Sequence, residues 1–163
     1  MAKKSVKTNA IRLLDQKKID YKLREYPEHD GPIAAIDVAA YLGQPADQLF
    51  KTLVTTDNNH GYYVFCLPGD HTLDLKKAAK AVGVKKIEML KAKDLLGLTG
   101  YIHGGCSPIG MKKVFPTVID ESARNWDTIF VSAGKIGLQG EIHPDDLQSL
   151  IKIKYDSILK DEE

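Results

Sequence analysis

The chain has 163 residues, with 23 lysines and arginines against 22 aspartates and glutamates. That is the size of one domain with a proper core, and a net charge of +1 excludes a protein that is basic all over. Two cysteines, Cys66 and Cys106, exclude a disulfide scaffold, and five scattered histidines form no zinc motif. The N-terminal MAKKSVKTNAIRLLDQKK carries charges throughout and lacks an apolar h-region, and no run approaches the roughly 18 apolar residues of a membrane span. The expectation is a single domain over 1–163, soluble and cytoplasmic, with reduced thiols and no membrane partner.

In chain order, Thr8 to Lys18 is predicted to be a helix capped by Thr8 or Asn9, with Ile11, Leu14 and Ile19 on one side. Tyr21 to Tyr26 alternates like a strand. Asp30-Gly31-Pro32 is a turn that opens a helix from Ile33 to Leu42, closed by Gly43. Pro45 to Gln48 reads as a short helical turn. Leu49 to Thr56 and Tyr62 to Leu67 are β-rich runs around the turn Asn58-Asn59-His60-Gly61, so they form a hairpin. Asp74 caps a helix from Leu75 to Val82 that Gly83 ends, and Glu88 to Leu96 reads as a second short helix. Tyr101 to His103 is predicted as a strand entering the loop GGCSPIG, Gly104 to Gly110. Short strands follow at Thr117–Ile119, Thr128–Val131 and Glu141–His143, then a helix from Pro144 or Asp145 through Leu150. The pattern is mixed α/β without the βαβ rhythm or GxGxxG of a Rossmann domain.

Charge order says more than charge sum. Between Lys76 and Lys113 stand nine lysines against only Glu88 and Asp94, a block of +7 that leaves −6 elsewhere. Such a block suits a polyanion, phosphate backbones above all; the alternative is a solvated helix face. The GGCSPIG loop is either a pocket floor whose backbone amides polarise a carbonyl or a tight structural turn. Cys106 or Ser107 within it is a candidate nucleophile, with His103 as a candidate base, set against a free structural cysteine. Lys51 lies in the apolar run LFKTLVTT on a face with Leu49 and Leu53. It is either a cleft cation that binds phosphate or orients a carbonyl, or an edge-strand lysine that discourages aggregation.

The runs FKTLV (Phe50 to Val54), LDLKKAAKAVGVKKIEML (Leu73 to Leu90), TGYIHGGCSPIGMKK (Thr99 to Lys113), PTVIDESA (Pro116 to Ala123) and VSAGKIGL (Val131 to Leu138) closely resemble the YbaK/EbsC family. These are aminoacyl-tRNA editing proteins related to the insertion domain of bacterial prolyl-tRNA synthetase. The resemblance spans about Thr8 to Tyr155, and its motif forms look like the YbaK branch. It implies an α+β fold, a mixed sheet curled into a partial barrel with helices around it. It also implies deacylation of Cys-tRNA(Pro), with Cys-tRNA(Cys) as a second substrate, by attack of the cysteine thiol on its own ester carbonyl. A synthetase pocket separates side chains of similar size by only a few kcal/mol, so a second, clearing site is the expected remedy.

By the same resemblance Lys51 holds the 3′-terminal adenosine or its phosphate, and the Gly104–Gly105 region stabilises the oxyanion. Tyr26, Thr52, Cys106, Ser107, Pro108, Ser132 and Gln139 are expected to form the substrate pocket. Lys76, Lys77, Lys80, Lys85, Lys86, Lys112 and Lys113 are expected to form the tRNA face. Partners are the acceptor end of an aminoacyl-tRNA and prolyl-tRNA synthetase, with no cofactor and no metal. The chain departs from close relatives at Gln139, where they carry an acidic residue, and at Ile33–Ala34, where some carry an aromatic. The competing reading is a non-catalytic regulator or binding module of the EbsC type, for which the chain offers no helix-turn-helix signal.

Overall fold

The structure is a computed structural model that describes residues 7–27 and 34–161. The first helix, Asn9–Gln16 (α1), starts where the Thr8 hydroxyl accepts the Ile11 N–H, and it buries Ala10, Ile11 and Leu14. Tyr21–Glu25 (β1) follows. Ala35–Leu42 (α2) ends on left-handed Gly43, as expected; the expected Asp30-Gly31-Pro32 turn and Ile33 lie outside the described residues. A short 3-10 turn at Ala46–Gln48 leads into the hairpin of Phe50–Thr56 (β2) and Tyr62–Pro68 (β3). Leu75–Val82 (α3) begins where the Asp74 carboxylate accepts the Lys76 and Lys77 N–H groups, and it ends on Gly83.

The Glu88–Leu96 helix is the first correction. Glu88–Met89 (β4) instead adds to β2, with Leu90 N–H donating to the Val54 carbonyl, and the helix starts later, at Ala92–Thr99 (α4). Sheet pairing overrides the helical propensity of this segment. Tyr101–His103 is not a strand either. Tyr101 is buried and pinned at both ends: its N–H donates to the Thr99 hydroxyl and its own hydroxyl to the Ile109 carbonyl. It therefore anchors a loop.

Thr117–Asp120 (β5) and a 3-10 turn at Glu121–Asn125 lead to Ile129–Lys135 (β6) and Leu138–Ile142 (β7), both longer than the runs expected there. His143 is the N-cap of Pro144–Leu150 (α5), not a strand residue. The strand Ile153–Asp156 (β8) is new, since no strand was expected after Leu150.

The strands form two sheets, β1-β7-β6 and β4-β2-β3-β5-β8, with helices around them, which is the expected mixed α+β arrangement and does not close into a barrel. A single parallel bridge, Leu49 to Phe130, joins them. Alternate residues of the larger sheet face two cores. Phe50, Val54, Val64, Cys66 and Ile119 pack with α1, α5 and the smaller sheet. Phe65, Leu67 and Val118 pack under α3. Beyond β8 the chain runs back over α3's start: Asp74 N–H donates to the Ile158 carbonyl, Lys160 N–H to the Thr72 carbonyl, and Lys77 Nζ to the Leu159 carbonyl and Asp161. Among the described residues no helix is long and apolar enough to cross a membrane.

Candidate active site

The split between the two sheets is where a site opens. β4 pairs with β2 only at Thr55 and Thr56, and the bridge to β6 stands at Leu49, so β2 has a bare edge between them. Strand alternation turns the main-chain N–H and C=O of Thr52 toward this gap, because those of Val54, two residues on, face Leu90. A cavity of about 270 Å³ fills the gap. Its walls are the β2 edge from Leu49 to Val54, Ala35 and Val38 of α2, Met89 to Leu95 around α4, and His103, Gly104 and Cys106 of the loop. Tyr26, Ser132 and Gln139 close the side toward the smaller sheet.

Each of those three is positioned by the smaller sheet. Tyr26 N–H donates to the Gly137 carbonyl, which fixes the end of β1 against the β6–β7 turn. Gln139 stands between Arg24 of β1 and Ser132 of β6 in register, beside the bulge between Ser132 and Lys135. Tyr26, Ser132 and Gln139 are all buried, and the Ser132 hydroxyl accepts the Gly134 N–H. The Thr52 hydroxyl lies 3.7 Å from Cys66 Sγ.

Lys51 lines the cavity, and two main-chain carbonyls hold its ammonium. Nζ donates to the His71 carbonyl at 2.6 Å and to the Gly69 carbonyl at 3.3 Å, in the loop that follows β3. Burial pulls its pKa down and the neighbouring Asp70 carboxylate partly restores it. An ammonium has three donors, so one N–H remains for a ligand. Asp47, Asp70 and His71 bring one ligand atom each within 4.8 Å of one another beside this loop. His71 Nε2 lies 3.7 Å from Asp47 and 3.6 Å from Asp70, an ion-pair geometry when His71 is protonated.

The GGCSPIG loop divides into parts with different jobs. Gly104 has φ of +88° and borders the cavity, and its N–H has no acceptor among the described residues. Gly105 N–H is already used by the Ile102 carbonyl, and a Cβ there would come within 2.9 Å of Lys135 Cα. Cys106 reaches the cavity wall, but burial pushes its thiol up to about 12, so it is protonated near neutrality. Ser107 is fully buried, its hydroxyl accepting the Ile109 N–H. Neither it nor Pro108 borders the cavity.

The expected lysine face is not uniform. Lys76, Lys80, Lys85, Lys86 and Lys113 are exposed. Lys77 is tied to Leu159 and Asp161, and Lys112 lies over Gly100 and reaches the Gly97 carbonyl at the end of α4. The cavity also includes Ala35, Val38, Met89, Leu90, Ala92 and Leu95, which sequence reasoning did not assign to it. Their apolar pattern reads as ordinary core, and only the sheet split turns it into a wall.

Three comparisons bear on the chain. The aminoacyl-tRNA editing domain family matches residues 32–150. A protein of Enterococcus faecalis, provisionally named Cys-tRNA(Pro)/Cys-tRNA(Cys) deacylase EbsC, is 49% identical over 160 residues, covering 97% of this chain and 98% of that one. A proline–tRNA ligase of Pelobacter propionicus is 30% identical over 99 residues, 61% of this chain and 17% of that enzyme. A solved structure provisionally described as a trans-editing enzyme for prolyl-tRNA synthetase shares the fold with a TM-score of 0.82 at 24% identity, covering 96% of this chain and 100% of that one.

Proposed function

The chain belongs to the aminoacyl-tRNA editing domain family, and on that premise we propose that it removes cysteine from mischarged tRNA(Pro), with Cys-tRNA(Cys) as a second substrate. The observation that carries the mechanism is a cavity with no activated nucleophile among the described residues. Cys106 is held protonated, Ser107 is buried outside the cavity wall, and the Thr52 and Ser132 hydroxyls meet Cys66 Sγ and the Gly134 N–H rather than a base. A cavity that only binds suits a substrate that supplies its own nucleophile.

The thiol sulfur of the esterified cysteine attacks its own carbonyl carbon. The carbon–sulfur bond forms, the ester carbon–oxygen bond breaks, and the thiol proton ends on the ribose oxygen. The products are a cyclic thiolactone and free tRNA. The protein's part is orientation and charge stabilisation. Gly104 N–H is free to meet the developing oxyanion, while Gly105 supports the loop by its close approach to Lys135. The remaining Lys51 N–H holds the terminal adenosine or its phosphate. Tyr26, Thr52, Ser132, Gln139 and Cys106 form neutral walls around the aminoacyl group, with Ser107 and Pro108 stiffening the loop behind it. Prolyl-tRNA synthetase is the partner that would hand over the tRNA.

The test is to incubate the protein with cysteinyl-tRNA(Pro) and follow loss of the ester. Acceleration over the uncatalysed reaction is expected, and its absence overturns the proposal. Seryl-tRNA(Pro) is expected to react far more slowly, because a neutral alcohol is a weaker nucleophile than a thiol; equal rates would overturn the substrate-assisted step.

A further inference from the structure

A second hollow of about 410 Å³ lies at the far end of the β2–β3 hairpin, and it shares Met89 and Leu90 with the cavity. The two are therefore neighbours across a single two-residue wall. Met89 is 45% exposed on top of that wall, an apolar step between them. Beyond it the groove carries Lys91 and Lys93, both exposed, and the rings of His60 and Tyr62. Tyr62 is held edge-on by Phe115 at a centroid distance of 5.9 Å, which fixes its plane. His60 and Asn58 sit in left-handed backbone positions of the hairpin turn, which holds them at the groove's rim. The groove also contains Glu88 and Asp94. Glu88 is occupied by Asn58 Nδ2 at 2.8 Å and by Lys86 at 3.8 Å, and Asp94 belongs to the first turn of α4.

Resting on the deacylase reading, we infer that this groove binds the single-stranded nucleotides that precede the aminoacylated adenosine. A cavity of about 270 Å³ holds the aminoacyl end alone, so the strand has to leave over one of its rims. The Met89 rim leads to paired ammonium groups and two aromatic rings, which is what an unpaired strand needs: cations for phosphates and π-faces for bases. The lysines of α3 are less suited to this task. That helix covers the Phe65, Leu67 and Val118 face of the large sheet, opposite the core that borders the cavity.

The test compares kcat/KM for three substrates: cysteinyl-adenosine, a cysteinylated CCA trinucleotide, and cysteinyl-tRNA(Pro). In the wild type the trinucleotide is expected to gain at least tenfold over cysteinyl-adenosine. Lys91→Glu/Lys93→Glu reduces that gain about tenfold and lowers the salt slope for the trinucleotide by about 0.7, one phosphate, the terminal adenosine's own phosphate being left to Lys51. Tyr62→Ala reduces the gain and Tyr62→Phe restores it. Lys17→Glu/Lys22→Glu, a pair with no assigned role, leaves the gain in place. The lysine pairs are exposed, so their reversal reads binding without a folding defect. A wild type that cleaves none of the three overturns the deacylase reading and this one with it. A wild type that cleaves cysteinyl-adenosine as well as the trinucleotide, or a gain that survives Lys91→Glu/Lys93→Glu, overturns the groove alone.

Discussion

The two faces of the large sheet are built to opposite rules. Under α3, apolar side chains pack against alanines, and the charges at the margin are tied down: Asp74 caps the helix, Lys77 holds the last described segment, and Lys51 sits on two carbonyls. Toward the smaller sheet, a strand edge is left bare and apolar side chains with a few polar ones surround a void. One strand, β2, serves both faces, because alternate residues point opposite ways. The site's cation thus comes from the closed face while its main-chain edge opens on the other. The Gly69 and His71 carbonyls keep this cation from being an unpaired ion in a half-buried place, where it would be costly.

The largest expected effect strikes the one residue that links the two faces. Lys51→Ala is expected to lower kcat/KM for cysteinyl-tRNA(Pro) by about 10–10², the loss of one charged hydrogen bond to the terminal nucleotide, with the thermal midpoint little changed. Wild-type rates in this variant would confine Lys51 to the closed face. Next is Gly105→Ala, which forces a Cβ against Lys135 and Ile136. A loss of about 1–3 kcal/mol in urea unfolding is expected from such overpacking.

A smaller effect tests the closed face alone. Asp74→Ala removes the α3 cap and is expected to cost about 1 kcal/mol. The Asp74 carboxyl is held below the ordinary 3.8 by the Lys77 N–H first, with burial opposing and the Lys76 N–H and nearby lysines helping. Its contribution is therefore present above pH 3.8 and is lost as pH falls through the lower folded value. Acid unfolding of the variant should lack that component.

The smallest effect concerns the open face. Cys106→Ala is expected to keep kcat/KM within about threefold, since a thiol at about 12 is no nucleophile near neutrality. Complete inactivity would identify Cys106 as the attacking group. The same thiol is raised by burial above the ordinary 9.0, so its contribution to stability is whole below pH 9.0 and is lost as pH rises toward 12. The variant should unfold less steeply in alkali than the wild type.

Much of this was legible in the chain. Thr8, Asp74, Gly43 and Gly83 mark helix ends by their own chemistry, and the β2–β3 hairpin announces itself by two β-rich runs around a turn. The motif resemblance led to Tyr26, Lys51, Thr52, Gly104, Cys106, Ser132 and Gln139, which the fold gathers at one cavity. What was hidden depends on distant partners. Glu88–Met89 is a strand only because β2 offers an edge, and Tyr101 is a loop anchor only because Ile109 returns to its hydroxyl. The division into two sheets, and so the cavity itself, follows from where β4 stops and where Leu49 meets Phe130.

The carbonyls that hold Lys51 belong to Gly69 and His71, and the next three residues are fastened by Ile158, Leu159 and Lys160. The fastening spans 82 positions between Lys77 and Leu159. During synthesis the hairpin leaves the ribosome first, with its lysine unanchored, and contacts of such separation close late. The carbonyls that position Lys51 are thus backed by a segment far along the chain, so the lysine's final geometry depends on the last contacts to form.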